Sequence, residues 1–83
     1  MSRREIQQFI YHPGLFTFKD GKANEGMIIV RYNIPEGKIE YYFIPAENVM
    51  AYQSAKSHQD LNAHKILGTQ INVEDIRSAE MMN

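Results

Sequence analysis

The sequence predicts a mainly β, α+β fold: a small, strongly bent five-stranded barrel with a short N-terminal helix and a second helix near residues 58–67. Three observations carry this expectation. Short runs rich in β-branched and aromatic residues are separated by turn signals. Two of those runs form a hairpin whose register can be written out. The stretch YYFIPAENVMAY, residues 41–52, breaks at a proline and then resumes in strand-like alternation.

The totals set the frame. Eighty-three residues make one domain, 1–83, with one modest core. The chain is 43% hydrophobic and 23% charged, which is a globular composition. It has no cysteine, so disulfides, thiolate metal sites and a cysteine nucleophile are excluded together. No apolar run approaches the ~20 residues that span a bilayer. MSRREIQQF lacks the apolar run of a signal peptide, and the expected location is cytoplasmic. Nine basic residues stand against ten acidic ones, without the basic excess of a dedicated nucleic-acid binder.

The elements follow in order. Ser2 and Glu5 have capping-box spacing, and Ile6, Phe9 and Ile10 form one apolar stripe, so a helix is expected over residues 3–11. His12-Pro13-Gly14 ends it. Leu15 to Lys19 alternates as a strand, and Asp20-Gly21 marks a turn. Gly26 to Tyr32 is the best strand in the chain. Ile34-Pro35-Glu36-Gly37 fits a type I turn, and Lys38 to Ile44 returns.

Closing that turn symmetrically pairs Tyr32 with Ile39, Val30 with Tyr41 and Ile28 with Phe43 on one face, and these six are the expected core face. The other face pairs Arg31 with Glu40, Ile29 with Tyr42 and Met27 with Ile44. The opposed charges of Arg31 and Glu40 favour this register. Ile28, Val30, Phe43, Phe16 and Phe18 are expected to be buried together. The second face is polar near the turn and apolar at its far end. A solvated face would be polar throughout, so something covers Met27, Ile29, Tyr42 and Ile44. The cover is either a helix of this chain, for which the Ile6, Phe9, Ile10 stripe is the expected candidate, or a second subunit.

Pro45 ends the strand because it lacks a ladder donor. PAEN then reads as a barrel corner, with Val49 to Tyr52 as the next strand. Ser57 and Asp60 again have capping-box spacing, and Leu61, Ala63, Ile66 and Leu67 form a thin helical stripe ending at Gly68. Ile76 to Met81 reads as a closing strand, with a helix from Asn72 as the competing reading.

Residues 3–52 partly resemble Sm-like proteins. LFTFKDGKANEGMIIVRYN is similar to the first Sm motif, and YYFIPAENVMAY to the second. Pro45-Ala46 stands where that family has Arg-Gly, so its RNA-contact positions do not carry over. IPAENV also resembles the proline-led turn of Src-homology-type small barrels. The chain has no tryptophan, so peptide recognition of that kind does not carry over either. Shared architecture does not imply shared function.

No constellation of residues points to catalysis, a metal or a cofactor. His64 could share a helix face with Asp60, but a metal needs three or four ligands. Its place near a helix C-terminus suits dipole complementation. Glu47, Glu74 and Asp75 suit caps and turns, and Ser54, Ser57 and Ser78 lack a nucleophile-elbow context. Five tyrosines are more suggestive, since tyrosine favours interfaces. The expected function is non-catalytic: a module for protein–protein interaction or self-assembly, with Met27, Ile29, Tyr42, Ile44 and Tyr52 as the partner-binding set. The alternative is an Sm-like RNA-binding ring using Arg3, Arg4, Lys19 and Lys22. A second alternative is an accessory subunit of an enzyme.

Overall fold

The structure is a computed structural model and describes residues 1–59 and 62–82. It is α+β, built on one five-stranded antiparallel sheet of order β4-β3-β2-β1-β5. The strands are β1 (Gly14–Phe18), β2 (Ala23–Asn33), β3 (Lys38–Pro45), β4 (Thr69–Ile71) and β5 (Ile76–Met81). Helix α1 (Arg3–Ile6) precedes them. Helices α2 (Ala46–Ser57) and α3 (Ala63–Leu67) lie between β3 and β4.

The start of the chain follows its local code. The Ser2 hydroxyl accepts from the Glu5 amide and the Glu5 carboxylate from the Ser2 amide, each at 3.1 Å. The Ser2 amide, and after it the Ser2 hydroxyl, hold the Glu5 carboxyl below its ordinary value. The helix is shorter than expected. It tightens into a 3-10 turn at Gln7–Phe9, and Ile10 leaves as extended chain that bridges Ile28 of β2. Tyr11, at φ 64°, then turns the chain toward β1.

The central hairpin has the register written from the sequence. Tyr32 faces Ile39, Val30 faces Tyr41, Ile28 faces Phe43, Arg31 faces Glu40, Ile29 faces Tyr42 and Met27 faces Ile44. Its turn is closed by the Gly37 amide donating to the Ile34 carbonyl at 3.1 Å, with Gly37 at φ 63°. The tail is the strand expected at Ile76–Met81, paired with β1.

The proline break is not a barrel corner. Pro45 is the last strand residue and the N-cap of α2, so Val49 to Tyr52 is helical. A proline just before the first turn costs no hydrogen bond, because the first amides of a helix have no partner within it. Glu47 in the first turn and Lys56 in the last both suit the helix dipole. The second expected helix, 58–67, is displaced. Ser57 ends α2 rather than capping a new helix, and α3 begins only at Ala63. Asp60 and Leu61 lie outside the described residues. Gly68 follows α3 as expected, and its amide donates to the His64 carbonyl.

The sheet has two packed faces. On the first, Ile6 and Phe9 cover Phe16, Ile28, Phe43, Val73 and Ile76. Phe16 meets Phe9 and Phe43 edge to face, with ring centres 6.1 and 6.0 Å apart. Phe18 is half-buried against this cluster and Val30 is half-buried beyond it. On the second face, Met27, Ile29, Tyr42 and Ile44 pack with Tyr52 of α2 and Ala63 of α3. The cover of that face is therefore a helix of this chain, but it is α2 with α3. The N-terminal stripe of Ile6 and Phe9 sits on the opposite face.

The link between the two sheet edges forces curvature. β4 and β5 lie at opposite edges, yet only Asn72 to Asp75 join them, and Val73–Asp75 form a 3-10 turn. An extended link of that length reaches at most about 18 Å. Four strand spacings in a flat sheet need about 19 Å, and the 3-10 turn shortens the reach well below that. The sheet curls so that its edges approach, with the first core inside the curl. It stays open in its hydrogen bonding. Among the described residues no helix is long and apolar enough to cross a membrane.

Candidate binding groove

The hairpin of β2 and β3 outruns its neighbours. β1 pairs with β2 only from Ala23 to Gly26, and β4 reaches β3 only from Tyr41 to Phe43. The outer part of the hairpin therefore stands beyond the rest of the sheet. Its first face stays apolar there, because the alternation that buries Ile28 and Phe43 continues through Val30, Tyr41, Tyr32 and Ile39. At that end Tyr32 is 70% exposed and Ile39 40%.

This apolar end forms one wall of a groove of about 510 Å³. The opposite wall is the N-terminal segment, which contributes Arg3, Arg4, Ile6, Gln7 and Ile10. The segment is held in place at three points. The terminal amino group donates to the Ile76 carbonyl at 2.7 Å. The Tyr11 amide donates to the Ile28 carbonyl at 2.9 Å. The Tyr11 hydroxyl donates to the Val30 carbonyl at 3.3 Å, while Lys56 lies 4.8 Å over its ring. Among the described residues, the groove wall contains two guanidinium groups and no carboxylate.

The other face of the hairpin end is polar. The Tyr42 hydroxyl and the Asn33 side-chain amide both donate to the Glu40 carboxylate, each at 3.3 Å. The His64 ring sits edge-on to Tyr42, 4.6 Å between centres, and His64 is 6% exposed. Burial, with Arg31 next in effect, lowers the His64 pKa. This corrects the expectation of a cationic His64 complementing a helix end: the environment favours the neutral ring. Burial and then the Glu40 charge raise the Tyr42 pKa, so its hydroxyl remains a donor. The Glu40 carboxylate already accepts two bonds.

The expected partner-binding residues lie elsewhere. Met27, Ile29, Tyr42, Ile44 and Tyr52 are all in the second core, each 5% exposed or less. They form one surface, as the alternation required, but α2 and α3 occupy it. A partner could reach them only if those helices moved away. The alternative nucleic-acid set is divided. Arg3 and Arg4 line the groove. Lys19 lies 3.9 Å from Asp75 in an exposed ion pair, and the Lys22 amide donates to the Asp20 side chain. The N-terminus and the Lys19–Lys22 turn do flank the same segment, since the Lys19 amide donates to the Asp75 carbonyl. Yet neither lysine lines the groove.

Among the described residues no three His, Asp or Glu side chains come together as a metal site. The pairing expected of His64 with Asp60 falls outside the described residues. The groove residues Val30, Tyr32, Ile39 and Tyr41 were assigned to the core by alternation. A detectable clue was that the hairpin is longer than any other strand run, so part of its apolar face had no counterpart to bury it. Comparison with known proteins gave no match to a family model, a curated protein or a solved structure.

Proposed function

We propose that this protein is a non-catalytic module that binds another protein through the groove between its N-terminal segment and the hairpin end. One observation carries the reading. An apolar wall with Tyr32 70% exposed and Ile39 40% exposed is held open beside anchored arginines, on a face whose inner part is a packed core. Exposed tyrosine and arginine next to aliphatic surface are the residue types that dominate protein interfaces. The scaffold under this reading is a small bent barrel, supported by the four-residue link that draws β4 toward β5.

The test is a peptide-display selection on the full chain, with counter-selection on Tyr32→Glu and Ile39→Glu variants. Both positions are exposed, so each variant keeps the fold. The expected result is enrichment of binders that lose affinity for both variants. Binders that ignore these substitutions, or no enrichment above background, would reject the reading. The RNA-binding ring remains the competing outcome, because Arg3 and Arg4 share the groove with two tyrosines. Submicromolar oligo-U binding that weakens steeply with salt would favour it.

A further inference from the structure

The backbone of β2 carries a second feature of the groove. In an antiparallel pair, residues alternate between exchanging both backbone bonds with the partner strand and pointing them away. The Ile28 carbonyl accepts from Tyr11, so Ile28 points away from β3. By the same alternation Val30 and Tyr32 do too. The Val30 carbonyl confirms this by accepting from the Tyr11 hydroxyl. Among the described residues no backbone–backbone bond reaches this edge beyond Ile28. The amides of Val30 and Tyr32 and the Tyr32 carbonyl thus face an open strand edge beside the groove. Natural sheets usually blunt such an edge with a charge or a proline facing the edge, or by covering it. Here its flanking side chains are Val30, Tyr32 and Arg31.

We infer that the groove takes an extended acidic–apolar peptide from another protein, which adds a strand to the β2 edge at Val30–Tyr32 and sets its carboxylates against Arg3 and Arg4. This rests on the protein-binding reading above and names the class of partner. Strand addition draws affinity from main-chain bonds and specificity from alternate side-chain pockets. The groove supplies both: an open edge, and the apolar side chains of Val30 and Tyr32, which flank every second side chain of the added strand. Charge sets the sign of the partner, because among the described residues the groove lining holds two cations and no acid, with Glu40 and Glu74 meeting Arg3 only in the adjoining cleft. A second copy docking groove to groove would bring four guanidinium groups together. An acidic–apolar run of this chain, Val73-Glu74-Asp75-Ile76, is not free to fill the site, since Val73 and Ile76 are buried in the first core.

The experiment uses the full chain and a short labelled peptide alternating valine and aspartate. A valine–lysine peptide, a copy of the acidic peptide N-methylated along one edge, and oligo-U are the controls. Fluorescence anisotropy reads affinity, and amide hydrogen exchange reads the seat. The expected result is binding of the acidic peptide with slowed exchange at Val30 and Tyr32. Affinity should fall at least about tenfold for the N-methylated peptide, and by a similar factor for the Arg3→Glu, Arg4→Glu double variant. The N-methylated probe leaves the protein untouched, so misfolding cannot mimic that loss. Equal binding of the lysine peptide or the N-methylated peptide, no protection at Val30 and Tyr32, tighter binding of oligo-U, or a dimer that occludes Tyr32 would each overturn the inference. Displayed binders that depend on Tyr32 but are neither acidic nor strand-like would reject this inference while leaving the broader reading intact.

Discussion

Ile29 and Val30 are neighbours in β2 that face opposite sides of the sheet, so truncating each to alanine tests the register and the cover together. Ile29 is fully buried in the second core, beneath α2 and α3. Ile29→Ala removes its γ and δ carbons, a transfer loss of roughly 2–2.5 kcal/mol. The cavity left under two helices adds to that, giving about 3–4 kcal/mol. A domain of this size has a total stability near the low end of about 5–15 kcal/mol. The variant should therefore sit close to the edge of folding, with Tm lower by roughly 15–25 °C. Val30 is half-buried at the groove, so Val30→Ala should cost about 1 kcal/mol or less. Urea unfolding followed by circular dichroism reads both, and the slope with denaturant should not change if only stability is affected. If Val30→Ala cost as much as Ile29→Ala, or if Ile29→Ala cost under about 1 kcal/mol, the assignment of the two faces would be wrong.

Other outcomes follow from the packing. Gly26 pairs with Pro45, and a Cβ added there would come within 2.6 Å of the Phe43 ring and closer still to the Ile44 carbonyl. Gly26→Ala should destabilise by about 1–3 kcal/mol, seen as a lower midpoint in urea. Because the folded His64 pKa lies below the ordinary histidine value, the unfolded chain binds more protons between the two. Its contribution to stability is fully present above about pH 6.5 and is lost as pH falls toward the folded value. His64→Gln should flatten that slope in thermal melts taken across the window. Removing residues 1–9 takes Ile6 and Phe9 off the first core, so light scattering should show aggregation or circular dichroism a loss of structure. Lys19→Ala breaks only an exposed ion pair and should lower stability by less than about 0.5 kcal/mol, read as a small shift in the thermal melt.

Where a local rule decides a local structure, the sequence by itself was sufficient. The Ser2–Glu5 box needs only neighbours three residues apart. The hairpin register needs only a turn and a two-residue alternation, which assign every pair from Met27–Ile44 to Tyr32–Ile39. For Ile76–Met81 the sequence leaves a helix from Asn72 as the competing reading, and pairing with β1 decides for the strand. The sequence also required a cover over Met27, Ile29, Tyr42 and Ile44, because bare apolar strand surface is unfavourable in water.

Tertiary structure decided what that cover was. Residues 49–52 admit both readings, since in a strand Met50 and Tyr52 would share a face, whereas in a helix Val49 and Tyr52, three apart, do. The apolar face waiting on β2 and β3 selects the helix, which turns Val49 and Tyr52 inward and leaves Met50 82% exposed. β4 was invisible because three residues carry almost no periodic signal, and it exists as a strand only through its bonds to Tyr41 and Phe43. The groove was hidden for the opposite reason. Val30, Tyr32, Ile39 and Tyr41 continue the core pattern without a break. Whether an apolar side chain on that face is buried or exposed depends on where β1, β4 and the N-terminal segment stop, and those are distances between elements that no residue's own neighbours encode.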